Sequence, residues 1–193
     1  MNQALSLKTQ FLSAEEFLSL ENAADTRYEL VDGVLVKMPP ESDENNDIAK
    51  RLLFELAKYF SVSLIAYKDT EIQVTGRRAG FRIPDLLVHS EGSKAALAGK
   101  NRATLTLDMP PPDLVIEVVS PGKVNRDRDY RYKHTEYAAR QIPEYWIIDP
   151  EERKVTVCQW IDGKYEDAVY AQNEAIQSAL IAELALTVDA IFA

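Results

Sequence analysis

Apolar and polar positions follow two different periods along this chain, and the switches between them mark its elements. Ser13-Ala14-Glu15-Glu16 has the form of a capping box and predicts a short helix with Phe17, Leu18 and Leu20 as apolar contacts. Two β-type runs, 27–31 and 34–38, flank Asp32-Gly33, a pair suited to a type I′ turn, so they predict a hairpin closed by Pro39-Pro40. From Glu44 to Phe60, Ile48, Leu52, Leu53, Leu56 and Tyr59 return at helical spacing. Strands are predicted at 64–67, 71–75 and 83–89, and a loop or one short helix at 92–99.

The second half carries the stronger pattern. Three prolines, Pro110 to Pro112, lead into Asp113-Leu114-Val115-Ile116-Glu117-Val118-Val119, and Pro121-Gly122 ends that run sharply. A helix is predicted from Asn125 or Arg126 to Arg140, then an inner strand at 144–149 closed by Pro150. Strand, helix and buried strand in that order form a crossover unit. Two outer strands at 154–160 and 164–170 turn at Asp162-Gly163, and the tail predicts a weak strand at 179–181 and a terminal turn opened by Thr187. The fold class is α/β, with a mixed sheet flanked by helices, an N-terminal hairpin and extra C-terminal strands, in one domain over residues 1–193.

Two acids interrupt the apolar runs. Asp85 lies in Pro84-Asp85-Leu86-Leu87-Val88, and Glu117 lies inside the run after the prolines. A carboxylate on an inner strand is costly unless it is paired, and two on successive strands can offset that cost by sharing a divalent metal. Oxygen donors suit Mg²⁺ or Mn²⁺ rather than zinc.

Composition narrows the choices. With 46% hydrophobic and 27% charged residues, 193 residues can bury a sizeable core. The lone Cys158 excludes an internal disulfide, offers no thiolate metal site and points to a reducing, cytoplasmic setting. Residues 1–8 lack the pattern of a signal peptide, and no apolar run is long enough for a membrane span. The net charge of −9 argues against a dedicated nucleic-acid binder. Its distribution tempers that. Lys123, Arg126, Arg128, Arg131 and Lys133 crowd the segment after Glu117, and Arg77, Arg78 and Arg82 precede Asp85. Taken singly, each segment reads as solvated charge; beside the acids, they suit a polyanion.

Arg126, Tyr130, Lys133 and Tyr137 are spaced to share one helix face. A lysine held there beside carboxylates can position and polarise a water molecule, whereas without them it would be a snorkelling side chain. Glu29, in the first hairpin strand, is either a further acid of the site or an outward polar residue. Asp113 and Asp149 read as strand-end and turn residues. His89 and His134 are too few and too far apart for a zinc motif. Ser120 lacks the glycines of a nucleophile elbow, and no phosphate-cradling glycine loop is present. The tyrosines of the helix could stack bases, though on a helix they more often fill a core.

In combination, 27–33, 84–88, 117–121, Lys133 with Glu136-Tyr137, and Ile142-Pro143-Glu144-Tyr145-Trp146-Ile147-Ile148-Asp149-Pro150 resemble the Uma family of restriction-endonuclease-like proteins, in the PD-(D/E)xK nuclease superfamily. The resemblance spans about residues 11–170. It implies a restriction-endonuclease-like core, metal held by Asp85 and Glu117, and a homodimer; the expectation built on it is a Mg²⁺- or Mn²⁺-dependent endonuclease acting on DNA, with the Val118 carbonyl as a further ligand. The lysine expected two residues after the Glu is absent, since Val119 stands there. The resemblance places it on the following helix as Lys133. The leading expectation adds Glu29 as accessory acid and sets Lys123, Arg126 and Arg128 on DNA. The rival expectations are a non-catalytic binding or assembly module of the same fold, and a hydrolase of another phosphate ester.

Overall fold

Ser13 opens the first helix through a reciprocal pair of bonds: its Oγ accepts the Glu16 N–H at 3.1 Å, and the Glu16 carboxylate accepts the Ser13 N–H at 2.7 Å. The structure is a computed structural model that describes residues 11–20 and 27–193. The expectation about a leader at 1–8 lies outside the described residues.

Helix α1 (Ala14–Ser19) is followed by the hairpin β1 (Tyr28–Val31) and β2 (Val34–Lys37). Asp32 at φ 48° and Gly33 at φ 81° supply the two left-handed residues that a type I′ turn requires. Helix α2 (Asp43–Leu56), capped by Ser42, ends four residues before the expected Phe60. Next come β3 (Ile65–Tyr67), β4 (Glu71–Val74), β5 (Gly80–Arg82), β6 (Leu86–Val88), α3 (Glu91–Ala96), β7 (Thr104–Leu105) and β8 (Leu114–Val118). A helical run then holds α4 (Lys123–Asp127), a π-helical turn (Arg128–Lys133) and α5 (His134–Ala139). The chain continues through β9 (Glu144–Asp149), β10 (Lys154–Ile161), β11 (Lys164–Ala171) and α6 (Val188–Ile191), which Thr187 caps.

Two mixed sheets result, in the orders β2-β1-β5-β4-β7 and β11-β10-β9-β8-β6-β3. The crossover from β8 to β9 gives the expected parallel pair. Alternate residues of the larger sheet feed two cores. Leu86, Leu114, Ile116, Trp146 and Ile148 pack with α2 and α6 on one face. Leu87, Val115, Tyr145 and Ile147 pack with Tyr137 of α5 on the other. Both faces being covered, β8 is buried at every position and apolar at all but Glu117. Glu117 follows Val115 by two positions, so it points toward α5.

Three differences from the sequence pattern have physical causes. The expected strand at 83–89 shortens to Leu86–Val88, because Pro84 cannot donate to a ladder and the Ile83 N–H turns instead to the Glu29 carboxylate at 3.1 Å. Strand β5 was hidden by its glycine and arginine. Gly80 fits there because a Cβ would meet Val74 Cγ2 at 2.9 Å. At 179–181 no strand forms; the tail is held by a single bridge between Ala175 and Thr187 and by bonds from Ser178 Oγ and the Ala179 N–H to the buried Glu144.

Candidate active site

The pairing of β6 with β8 runs Leu86 to Ile116, and that of β3 with β6 runs Tyr67 to Leu86. Carried on by one residue, these registers set Lys68 opposite Asp85 and Asp85 opposite Glu117. Three charged residues thus form a row across three strands on the face that meets α5. Asp85 Oδ2 accepts the Val118 N–H at 2.8 Å, and Oδ1 lies 3.2 Å from Lys68 Nζ. Burial raises the Asp85 carboxyl above its usual range; Lys68 and the Val118 amide oppose the rise without reversing it.

Glu117 is enclosed. Its Oε1 accepts the Tyr137 hydroxyl at 2.8 Å and stands 2.7 Å from Lys133 Nζ, while Oε2 has no hydrogen-bond partner among the described residues. Burial first, and then the neighbouring Asp85, Asp129 and Glu29, push its carboxyl up to about 8 against the pull of Lys133. Tyr137→Phe removes one hydrogen bond without opening a cavity. It should lower stability by about 1–2 kcal/mol, read as a lower urea midpoint at unchanged slope.

Lys133 is 2% exposed. Besides Glu117, its ammonium meets Glu29 at 3.5 Å and Asp129 at 3.7 Å. Burial alone would lower its pKa, but Glu117, Glu29 and Asp129 overcome that and hold it above the usual lysine value, so it stays charged. Glu29 accepts the Ile83 N–H on one oxygen and Arg82 on the other at 3.0 Å. Burial would raise its carboxyl, yet Lys133, Arg82 and the Ile83 amide bring it below the usual range. Arg82 in turn donates to both oxygens of Glu136, at 2.7 and 2.9 Å.

Asp85, Glu117, Lys133, Glu29 and Arg82 line one cleft of about 370 Å³ together with Glu41, Lys37, Arg128 and the exposed Val124 and Tyr132, while Lys68, Asp129, Tyr137 and Glu136 contact these residues from outside its lining. Glu41 was not anticipated. It accepts Ser120 Oγ at 3.1 Å and Asn45 Nδ2 at 3.0 Å, and stands 3.7 Å from Lys68. It follows two prolines and precedes a cap, where any surface acid would look alike. Lys68 was also missed: it sits in a polar turn at φ 54°, and only the strand register shows that it reaches Asp85. Asp129 and Lys133 are four residues apart, and that spacing was the available signal. The π turn that carries both is invisible to a 3.6-residue period.

The expected basic residues diverge. Arg128 lines the cleft but is engaged at 2.9 and 3.2 Å by the fully buried Asp129. Arg126 turns to Asp149 and Glu152 and lies over the Tyr130 ring, outside the cleft. Lys123 is 82% exposed and pairs with Asp127. Tyr130 gives its hydroxyl to Asp149 at 3.2 Å, so the expected common face of Arg126, Tyr130, Lys133 and Tyr137 splits in two. Val118 lines the cleft and donates its amide to Asp85. His134 is bonded to Asp167 at 3.0 Å with Cys158 behind them, a mixed set of possible ligands away from the cleft. Burial first, and then Asp167, push the Cys158 thiol up, so it stays protonated.

The donors Asp85 and Glu117 are all oxygen, sit on one face, and carry carboxyls raised by burial and crowding. A hard divalent cation fits that set, whereas a thiolate-seeking metal does not.

This is a mixed α/β nuclease-like fold with an acidic cleft in which a lysine is buried among carboxylates. The profile of the Uma2 family, described as "Putative restriction endonuclease", matches residues 14–189, and the chain belongs to that family. Among solved structures it is similar to one from Anabaena variabilis described as "a putative nuclease belonging to DUF820", at 17% identity and a TM-score of 0.68, covering 94% of this chain and 97% of that one. No curated protein matches. Among the described residues, no helix is long and apolar enough to cross a membrane.

Proposed function

We propose that the protein is a metal-dependent endonuclease of the PD-(D/E)xK type that hydrolyses DNA phosphodiester bonds. The observation that carries this reading is Asp85, Glu117 and Lys133 together in a cleft open to solvent, with Lys68 paired to Asp85. Asp85 and Glu117 would hold Mg²⁺ or Mn²⁺; when bound, such an ion supplies Lewis acidity and lowers the pKa of water. Glu117 would hold the ion as the carboxylate, with the proton that burial favours released to solvent. Lys133 cannot serve as a general base, because its carboxylate neighbours keep it protonated. It donates hydrogen bonds and holds a positive charge where a phosphate would sit. Glu29 positions Lys133, and Arg82 fixes Glu29. Glu41, 3.7 Å from Lys68, also lines the cleft.

The rival reading, a nuclease fold kept as a non-catalytic binding module, also has an observation behind it: Asp85 and Glu117 each already contact an ammonium group. A thermal-shift titration separates the two. The nuclease reading expects a rise in Tm with Mg²⁺ or Mn²⁺ in the low millimolar range, removed by Asp85→Asn. No response up to tens of millimolar, roughly the weak end of hard-cation sites, together with uncut plasmid, would leave the binding module standing.

A further inference from the structure

A second cleft of about 300 Å³ adjoins the acidic one and shares Val31, Arg82 and Tyr132 with it. Its character is different. The two acids in its lining are both engaged, Asp32 by Arg78 at 3.1 Å and Glu136 by Arg82. Arg77, exposed on the loop between β4 and β5, has no carboxylate partner among the described residues. Lys37 has none either, and it lines the acidic cleft. Among the described residues, one cation without a carboxylate partner therefore lines each cleft. Tyr132 stands at the junction, 59% exposed. An exposed ring at that point contributes nothing to a core.

The acids themselves are deep. Asp85 is 8% exposed and Glu117 3%. A phosphate must enter the cleft to reach them, which a paired duplex resists and a single strand does not. Gripping a duplex also requires many phosphate contacts, and a chain of net charge −9 with its nearby cations mostly paired has few to offer. A short strand needs only a few, together with a ring on which a base can stack.

We infer that the substrate strand binds unpaired, running through both clefts, with a base stacked on Tyr132 and the flanking phosphates held by Arg77 on one side and Lys37 on the other. This rests on the nuclease reading of the acidic cleft and narrows its substrate to single-stranded DNA or the frayed strand of a junction. Tyr132 is then a positioning residue that sets which phosphate reaches Lys133.

Fluorescence anisotropy with a labelled ten-nucleotide single strand and a blunt duplex of the same sequence, in Ca²⁺, tests this. The single strand should bind at least tenfold more tightly than the duplex. Tyr132→Ala should weaken single-strand binding about tenfold and Tyr132→Trp should restore it, as expected for base stacking. Arg77→Ala should reduce the salt slope by about 0.7. Phe54→Ala, which removes an exposed ring on α2, should change nothing. A duplex that binds as tightly as the strand, a Tyr132→Ala variant that binds like wild type, or no binding of either DNA overturns the inference. Failure of the nuclease reading is seen separately, as no cleavage in Mg²⁺ or Mn²⁺ while these binding preferences hold.

Discussion

Lys133→Met is expected to abolish metal-dependent cleavage, by a thousandfold or more, and to cost the metal-free protein roughly 3–5 kcal/mol of stability. The second effect comes from the cage around the ammonium: Glu117, Glu29 and Asp129 all lie within 3.7 Å of it. Removing their shared cation leaves three crowded acids, with Arg82 and Arg128 as the remaining compensation. Mg²⁺ should restore part of the lost stability, because it enters the same negative field, without restoring turnover. Lys133→Arg should fail as well, since a wide planar guanidinium cannot replace a compact ammonium inside that cage. Urea unfolding with and without Mg²⁺, beside a plasmid assay, reads both effects. A variant that cleaves within tenfold of wild type would remove Lys133 from the reaction. Lys123→Ala, at an exposed position, should leave turnover and stability nearly unchanged. Arg128→Ala is not a comparable surface change, because Arg128 is what pairs with the buried Asp129.

Glu117→Gln is expected to have the second largest effect: loss of Mg²⁺ affinity and of cleavage, together with a gain in metal-free stability at alkaline pH. The sign follows from where Glu117 titrates. Its folded-state value of about 8 lies above the ordinary value of 4.5, so the native protein holds a proton that the unfolded chain has released. Its contribution to stability is therefore fully present below about pH 4.5 and declines as pH rises toward 8, by as much as a tenfold change in the folding equilibrium per pH unit. Glutamine, which carries no charge, removes that slope. Urea midpoints of wild type and Glu117→Gln between pH 5 and 9, in EDTA, should diverge as pH rises. Parallel curves would mean that Glu117 is ionised throughout and that its neighbours, rather than burial, govern it. In Mg²⁺ the wild-type curve should flatten, because the ion favours the carboxylate.

Elements governed by one clean period could be read in the sequence. The hairpin at Asp32-Gly33, helix α2 and the strands around Ile116 and Ile148 follow from local pattern and turn chemistry. Asp85 and Glu117 stood out because each interrupts an apolar run. Other features depend on relations between distant residues. Lys68 reaches the site only through strand register. Glu41 is distinguished from any surface acid only by the cleft it faces. Strand β5 is short and carries Arg82, whose burial depends on Glu29 and Glu136 lying opposite it. The π turn leaves the residue types unchanged and alters only their phase.

That change of phase fixes what the helix after Glu117 can tolerate. Each residue of an α-helix advances about 100° around the axis. A π turn spreads the same angle over more residues and so acts as an insertion absorbed within the helix. Deleting one residue between Arg128 and Lys133 would let the backbone relax into an unbroken α-helix with better hydrogen bonds. It would also rotate everything on one side of the cut, so that either Arg128 and Asp129 or Lys133 and Tyr137 would no longer face Glu117. Along this stretch, side chains can be exchanged one at a time, but the number of residues cannot change without uncoupling the two halves of the site.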